Sequence, residues 1–179
     1  MKSLPFLLIL TTFILNAQKQ PTISEVTPEA NKDVSYSGDL SQGEKLSNLS
    51  WAWNSSNACF PETQKHKFTG NHVFFTGIIP AYSEITVTVI PKDKTKNFSI
   101  YAYQVGVDNM PIVPDLSSCI RCEADHKWDR NYVNKTQDHT RSVSNLVAIN
   151  RPYRMIIGVT GADGLEDGEF TLVISTKSR

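Results

Sequence analysis

Cys119 and Cys122 frame the sharpest chemical signal in the 179-residue chain, Cys119-Ile-Arg-Cys122. A Cys-x-x-Cys pair can exchange disulfides when it opens a helix beside a strand–helix–strand unit. Here the pair lies in a Pro-flanked, charged stretch with no helical periodicity around it, so redox catalysis is not expected. The same spacing suits zinc, with Cys59 and His126 completing four ligands, but a second Cys-x-x-Cys that would make a zinc site firm is missing. In an oxidising compartment a disulfide is the simplest outcome. Cys119–Cys122 is the expected bond, with Cys59 a buried free thiol; Cys59 bonded to one member of the pair, pinning the segment, is the alternative.

A second concentration of donors lies in the last turn, where Asp163, Glu166, Asp167 and Glu169 sit among glycines. Hard carboxylate oxygens at that density can hold calcium, although the spacing is not that of an EF-hand loop. A solvated turn in which glycines supply positive φ is the competing account. Calcium is therefore the one cofactor to expect, if any.

Glu123, Asp125, His126, Asp129, Asp138 and His139 are interspersed with Arg121, Trp128, Arg130 and Arg141. A His–carboxylate base could be built from them, and a hydrolase using His126 and His139 is one alternative function. No Gly-x-Ser-x-Gly, no His-Glu-x-x-His and no comparable nucleophile motif accompanies them, and Ser117 and Ser118 are near only in sequence. Catalysis is not expected. Trp51 and Trp53 would share one face of a strand over Leu46–Trp53 and could form an aromatic platform. As binding residues the sequence nominates Trp51, Trp53, Arg121, His126 and Trp128, for a protein or carbohydrate ligand.

These residues need a frame, and the frame reads as β throughout. Ile85, Val87 and Val89 alternate in Ser83–Ile90, and Phe98, Ile100 and Ala102 alternate after a charged, Pro-led break, which reads as a hairpin forming one wall of a sandwich. His72–Ile79 is a short apolar run bounded by Gly-Asn and Pro, as in a strand buried on both faces. Val34–Leu40, Lys65–Phe68, Thr140–Ile149, Tyr153–Thr160 and Glu169–Ser175 add further strands. The expected fold is all-β: an antiparallel, jelly-roll-like sandwich of about eight strands with one long irregular insert at 106–138.

Residues 1–17 read as a secretory signal, with Lys2, an apolar run and Ala17 before the cleavage point; the run is too short for a comfortable membrane span. Residues 18–33 read as a flexible leader and 34–176 as one domain. No cysteine follows the cleavage point as a lipid-anchor site, and no later run is long enough to span a membrane. Lys+Arg and Asp+Glu each number 18, so the chain is formally neutral and carries no electrostatic case for nucleic acid. Asn48, Asn54, Asn97 and Asn134 begin Asn-x-Ser/Thr triplets, which matter only in a eukaryotic secretory pathway.

The run His72–Gln104 resembles the bacterial pre-peptidase C-terminal (PPC) domain: an aromatic-containing strand, a short turn, an alternating Thr/Val strand, then an aromatic strand. Arg151-Pro-Tyr-Arg-Met-Ile-Ile-Gly-Val-Thr-Gly-Ala-Asp-Gly followed by Gly168-Glu-Phe-Thr-Leu-Val-Ile resembles that family's last hairpin. The insert and Asn97-Phe-Ser-Ile-Tyr101, which lacks the family's acids, depart from the pattern. The resemblance implies a non-catalytic accessory β-sandwich of a bacterial exported protein. The expectation is a monomeric binding module in the periplasm, at the cell surface or outside the cell, with a calcium- or zinc-binding protein as the alternative.

Overall fold

Strict alternation makes Ser83–Pro91 a strand with one face inward: Ile85, Val87 and Val89 are fully buried while their neighbours are half-exposed. Its partners follow the same rule. In the computed structural model, which describes residues 22–135 and 137–179, ten strands form two packed sheets. They are β1 (Ile23–Glu25), β2 (Asp33–Asp39), β3 (Glu44–Lys45), β4 (Asn71–Ile79), β5 (Ser83–Pro91), β6 (Phe98–Val105), β7 (Arg121–Asp125), β8 (Arg141–Ala148), β9 (Tyr153–Gly161) and β10 (Glu169–Ser178). One sheet runs β1-β4-β9-β6-β7, with β3 also on β4; the other runs β2-β10-β5-β8. The fold is an all-β sandwich.

The core between the sheets takes Ile85, Val87 and Val89 from β5, Phe98, Ile100 and Ala102 from β6, and Phe170, Leu172 and Ile174 from β10. β5 and β6 therefore do not form the expected hairpin. They lie in different sheets, and the break after Pro91 carries the chain across the sandwich. Their apolar faces meet through the core rather than side by side, which the same alternation permits. β9 and β10 are likewise split between the sheets, so the Gly-rich close is a crossing and not a hairpin.

β6 is buried along its whole length, and β4 nearly so. The outer face of their sheet carries a second core: Phe74, Tyr101, Tyr103, Val105 and Ile156, covered by Trp51, Ala52, Phe60 and Phe68 and by Val113 and Leu116. The cover is built from two 3-10 helices, Ser50–Trp53 and Glu62–Phe68, where strands over Leu46–Trp53 and Lys65–Phe68 were expected. A 3-10 turn places residues on one side every third position, so the tryptophans do not share a face. Trp51 is buried against Phe60, Tyr101 and Tyr103, and Trp53 is half-exposed.

The expected Cys119–Cys122 bond is replaced by Cys59–Cys122, with Cys119 free. Cys122 lies on β7, and Cys119 lies outside it, beyond the bend at Ile120. Cys59, on the cover, is 5.0 Å away between Cα atoms. The bond ties residues 63 apart and fastens the cover to the edge of the sheet. Two of the four counted zinc ligands are thereby consumed. The insert is not wholly irregular, because β7 pairs with β6 from Gln104–Arg121 to Ile100–Asp125. The leader is not loose where it is described: β1 adds to β4 in parallel, making the sheet mixed, and Val26 is buried. Strands thus extend from Ile23 to Ser178, beyond the 34–176 expected. The signal-peptide assignment to residues 1–17 lies outside the described residues. No described helix is long and apolar enough to cross a membrane.

Candidate functional site

Six large apolar side chains are exposed among the described residues, and four of them fall on one strip. Met110 (52% exposed) and Ile120 (55%) line a cleft of about 570 Å3 with Pro111, Ser117 and Ser118. Ile120 also lines an adjoining cleft of about 550 Å3 with Ile149 (69%), Tyr153 and Val147. Tyr82 (62%) continues the strip, its N–H donating to the Ile149 carbonyl at 2.9 Å.

Local structure puts each of these side chains outside. Ile120 precedes β7 at a bend, and its N–H donates to the Gln104 carbonyl at 2.8 Å, which fixes the backbone while the side chain stays in solvent. Ile149 follows the last inward residue of β8, Ala148, so the alternation that buries Ala148 turns Ile149 out. Tyr82 holds φ +57° in the tight turn between β4 and β5. The strip runs along the margin where β6 and β7 of one sheet meet β8 of the other, a junction bridged by Gln104 Nε2 donating to the Val147 carbonyl at 3.0 Å. β7 is the last strand of its sheet, so its outer backbone edge borders the strip.

The rim is polar and close to electrically balanced. Arg121 pairs with Glu123 at 2.8 Å, and Arg179 lies 3.6 Å from Glu84. Arg151 stacks over the Tyr153 ring at 5.3 Å and donates to its hydroxyl at 3.0 Å. An apolar centre with a satisfied polar rim can desolvate against a partner without stranding a charge. Cys119 borders the same cleft; its thiol lies 3.7 Å from the Ser56 carbonyl, and burial pushes its pKa up. A thiol so placed is a poor nucleophile at neutral pH.

Of the residues nominated from sequence, Arg121 is on this strip. His126 is elsewhere, edge-on to Phe68 at 5.8 Å, beside the aromatic cover. Trp128 lies in the loop after β7, edge-on to Tyr132. Trp51 serves the second core. His126 and His139 share no hydrogen bond or ring contact; His139 Nδ1 sits 3.1 Å from Asn97 Oδ1 and 3.3 Å from the Arg141 guanidinium. Burial and the Arg141 charge lower the His139 pKa. At the last turn, Glu166 pairs with Lys45, Asp167 with Lys96 and Glu169 with Lys92. Asp163 and Gly164 supply its positive φ, at +51° and +81°. Among the described residues no three His, Cys, Asp or Glu side chains converge as a metal site.

The strip itself was not foreseen. Its only trace in the sequence is Ile120 standing singly between Cys119 and Arg121. Also unforeseen was His72, whose Nδ1 lies 2.9 Å from the Tyr101 hydroxyl and Nε2 2.9 Å from the Phe68 carbonyl, all buried.

No family model matches the chain, and no curated protein matches it. Solved structures similar to the chain include three from bacteria. PliG of Aeromonas hydrophila, a periplasmic inhibitor of g-type lysozyme, shares 10% identity over 86% of this chain and 96% of its own, at a TM-score of 0.42. The pre-peptidase C-terminal domain of collagenase from Bacillus anthracis shares 9% over 89% and 99%, at 0.38. CorA of Methylomicrobium album BG8, a surface-associated copper-binding protein, shares 13% over 88% and 98%, at 0.38. Each is a likeness at low identity, and none of them assigns a function to this chain.

Proposed function

We propose that the chain is an exported, non-catalytic binding module that engages a protein partner through the strip Met110–Ile120–Ile149–Tyr82. The observation that carries this reading is the gathering of four of the six exposed large apolar side chains on one margin of the sandwich. Scattered exposed apolar residues need no explanation, but a contiguous row with a polar rim does. The Cys59–Cys122 bond fits an oxidising compartment such as the periplasm or the outside of the cell. The binding role also accounts for the insert, since long loops on a rigid sandwich commonly carry contacts.

A photo-crosslinking amino acid at Ile120, and separately at exposed Ser47 as control, tests the reading in the producing cell. A defined adduct from position 120 that is absent from position 47 and lost on Ile149→Asp is the expected result. Identical adduct patterns from both positions, or none from either, would sink it.

A further inference from the structure

The loop between β7 and β8 holds a second feature, independent of the strip. Its neck is closed by one side chain: the Gln137 amide accepts from the Trp128 N–H and donates to the Trp128 carbonyl at 3.4 Å. Its flank is anchored by Asp129, which accepts from Lys67 at 2.6 Å and from Gln64 at 3.1 Å; these bonds hold its carboxyl below the usual range. A turn follows, in which Lys135 N–H donates to the Tyr132 carbonyl at 3.2 Å and Asn134 takes φ +60°. The turn folds Lys135 back, so that its ammonium lies 5.9 Å from the Trp128 ring centroid and 5.6 Å from that of Tyr132. The two rings meet edge-to-face at 5.1 Å.

Two properties of this loop point to a ligand. Tyr132 is 56% exposed and Val133 89%, so the loop tip offers open apolar area beside half-buried Trp128. The cations are also uncompensated. Eight other lysine and arginine side chains have a carboxylate within ion-pair distance. Lys127, Arg130 and Lys135 have none among the described residues; of the two acids in the same loop, Asp129 is taken by Lys67 and Asp138 accepts from Thr140. Aromatic faces bordered by free cations complement a ligand that has apolar ring faces and carboxylates together.

We infer that the Trp128–Tyr132–Lys135 cluster binds an acidic polysaccharide, a uronic acid polymer. The axial C–H face of a pyranose packs on an aromatic ring by dispersion, and the C5 carboxylate of the same sugar reaches Lys135 or Arg130. Single-stranded nucleic acid also stacks on aromatics, but it draws on a broad basic groove, and this chain is formally neutral with three free cations in the loop. A polyuronate, whose repeating unit offers an apolar ring face and a carboxylate together, fits the small site better.

Native affinity electrophoresis of the purified chain in gels containing polygalacturonate, alginate or dextran provides the test, with a labelled oligo-dT as competitor. Retardation by a polyuronate and not by dextran is expected, weakened at least tenfold by Tyr132→Ala and by Lys135→Gln and diminished by salt. Both side chains are exposed, so neither change should unfold the domain; unchanged melting temperatures confirm this. Retention of full binding in Tyr132→Ala would reduce the site to non-specific charge and overturn the inference. So would absence of polyuronate retardation, or displacement by oligo-dT at lower concentration than by free polyuronate.

Discussion

The Tyr101 hydroxyl donates to Nδ1 of His72 at 2.9 Å, reaching across β9 from β6 to β4. The tautomer follows from the other nitrogen, because the Phe68 carbonyl at 2.9 Å can only accept, so Nε2 carries the proton and Nδ1 takes the phenol's. The crossing is possible because Gly158 of β9 lies opposite both Phe74 and Tyr101 and presents no side chain beneath the ring.

Burial lowers the His72 pKa from 6.5 to about 4. The unfolded chain therefore binds a proton between those values that the folded chain refuses, and stability falls as pH drops from about 6.5 to about 4. The full loss amounts to about 3 kcal/mol. Urea denaturation across that window should show the slope in the native sequence and a flatter one in His72→Gln, which is less stable at neutral pH. His139 is lowered in the same direction, so the comparison of the two proteins isolates His72. Equal slopes would contradict the assignment.

Tyr101→Phe leaves Nδ1 of His72 buried without a donor and should cost about 1–3 kcal/mol. Gly158→Ala should cost more, at least about 3 kcal/mol, because its Cβ would occupy the space of the Tyr101 ring, which is itself enclosed. Thermal melts of both variants check the order; a Gly158→Ala protein as stable as the native one would contradict it.

Peptide mapping without reduction should recover Cys59 linked to Cys122, with Cys119 alkylated slowly owing to its raised pKa. Removing the bond by Cys59→Ala with Cys122→Ala should cost about 2–4 kcal/mol, given its long loop. Cys119→Ser should stay within about 1 kcal/mol of the native protein. Recovery of a Cys119–Cys122 peptide instead would reverse the pairing.

Ile120→Asp should abolish partner capture while moving stability by no more than about 0.5 kcal/mol, since the side chain is exposed. Melting temperature and crosslink yield, measured on the same preparation, separate the two effects. A large drop in melting temperature would mean that the strip is structural.

Period-two alternation was enough to find β2, β5, β6, β9 and β10, because a half-buried strand writes its inward face into every second residue, while β8 was read from its strand composition. The all-β class followed from the same pattern, and the doubly buried character of β4 from its short, nearly continuous apolar run. Alternation does not state which sheet a strand joins: Ile85–Val89 and Phe98–Ala102 read alike whether they pair side by side or face each other across the core. It is also blind to the second core. Trp51, Phe60 and Phe68 are spaced irregularly because they cover the sheet from 3-10 turns, and β1 and β7 are too short and too polar to announce themselves. Cysteine spacing named three candidate pairings without ranking them by distance; β7 decided the matter by docking Cys122 against Cys59. The apolar strip is the furthest from sequence of all. Met110 and Ile120, Ile149, and Tyr82 come from three separate connections, and only packing of the two sheets brings them onto one margin.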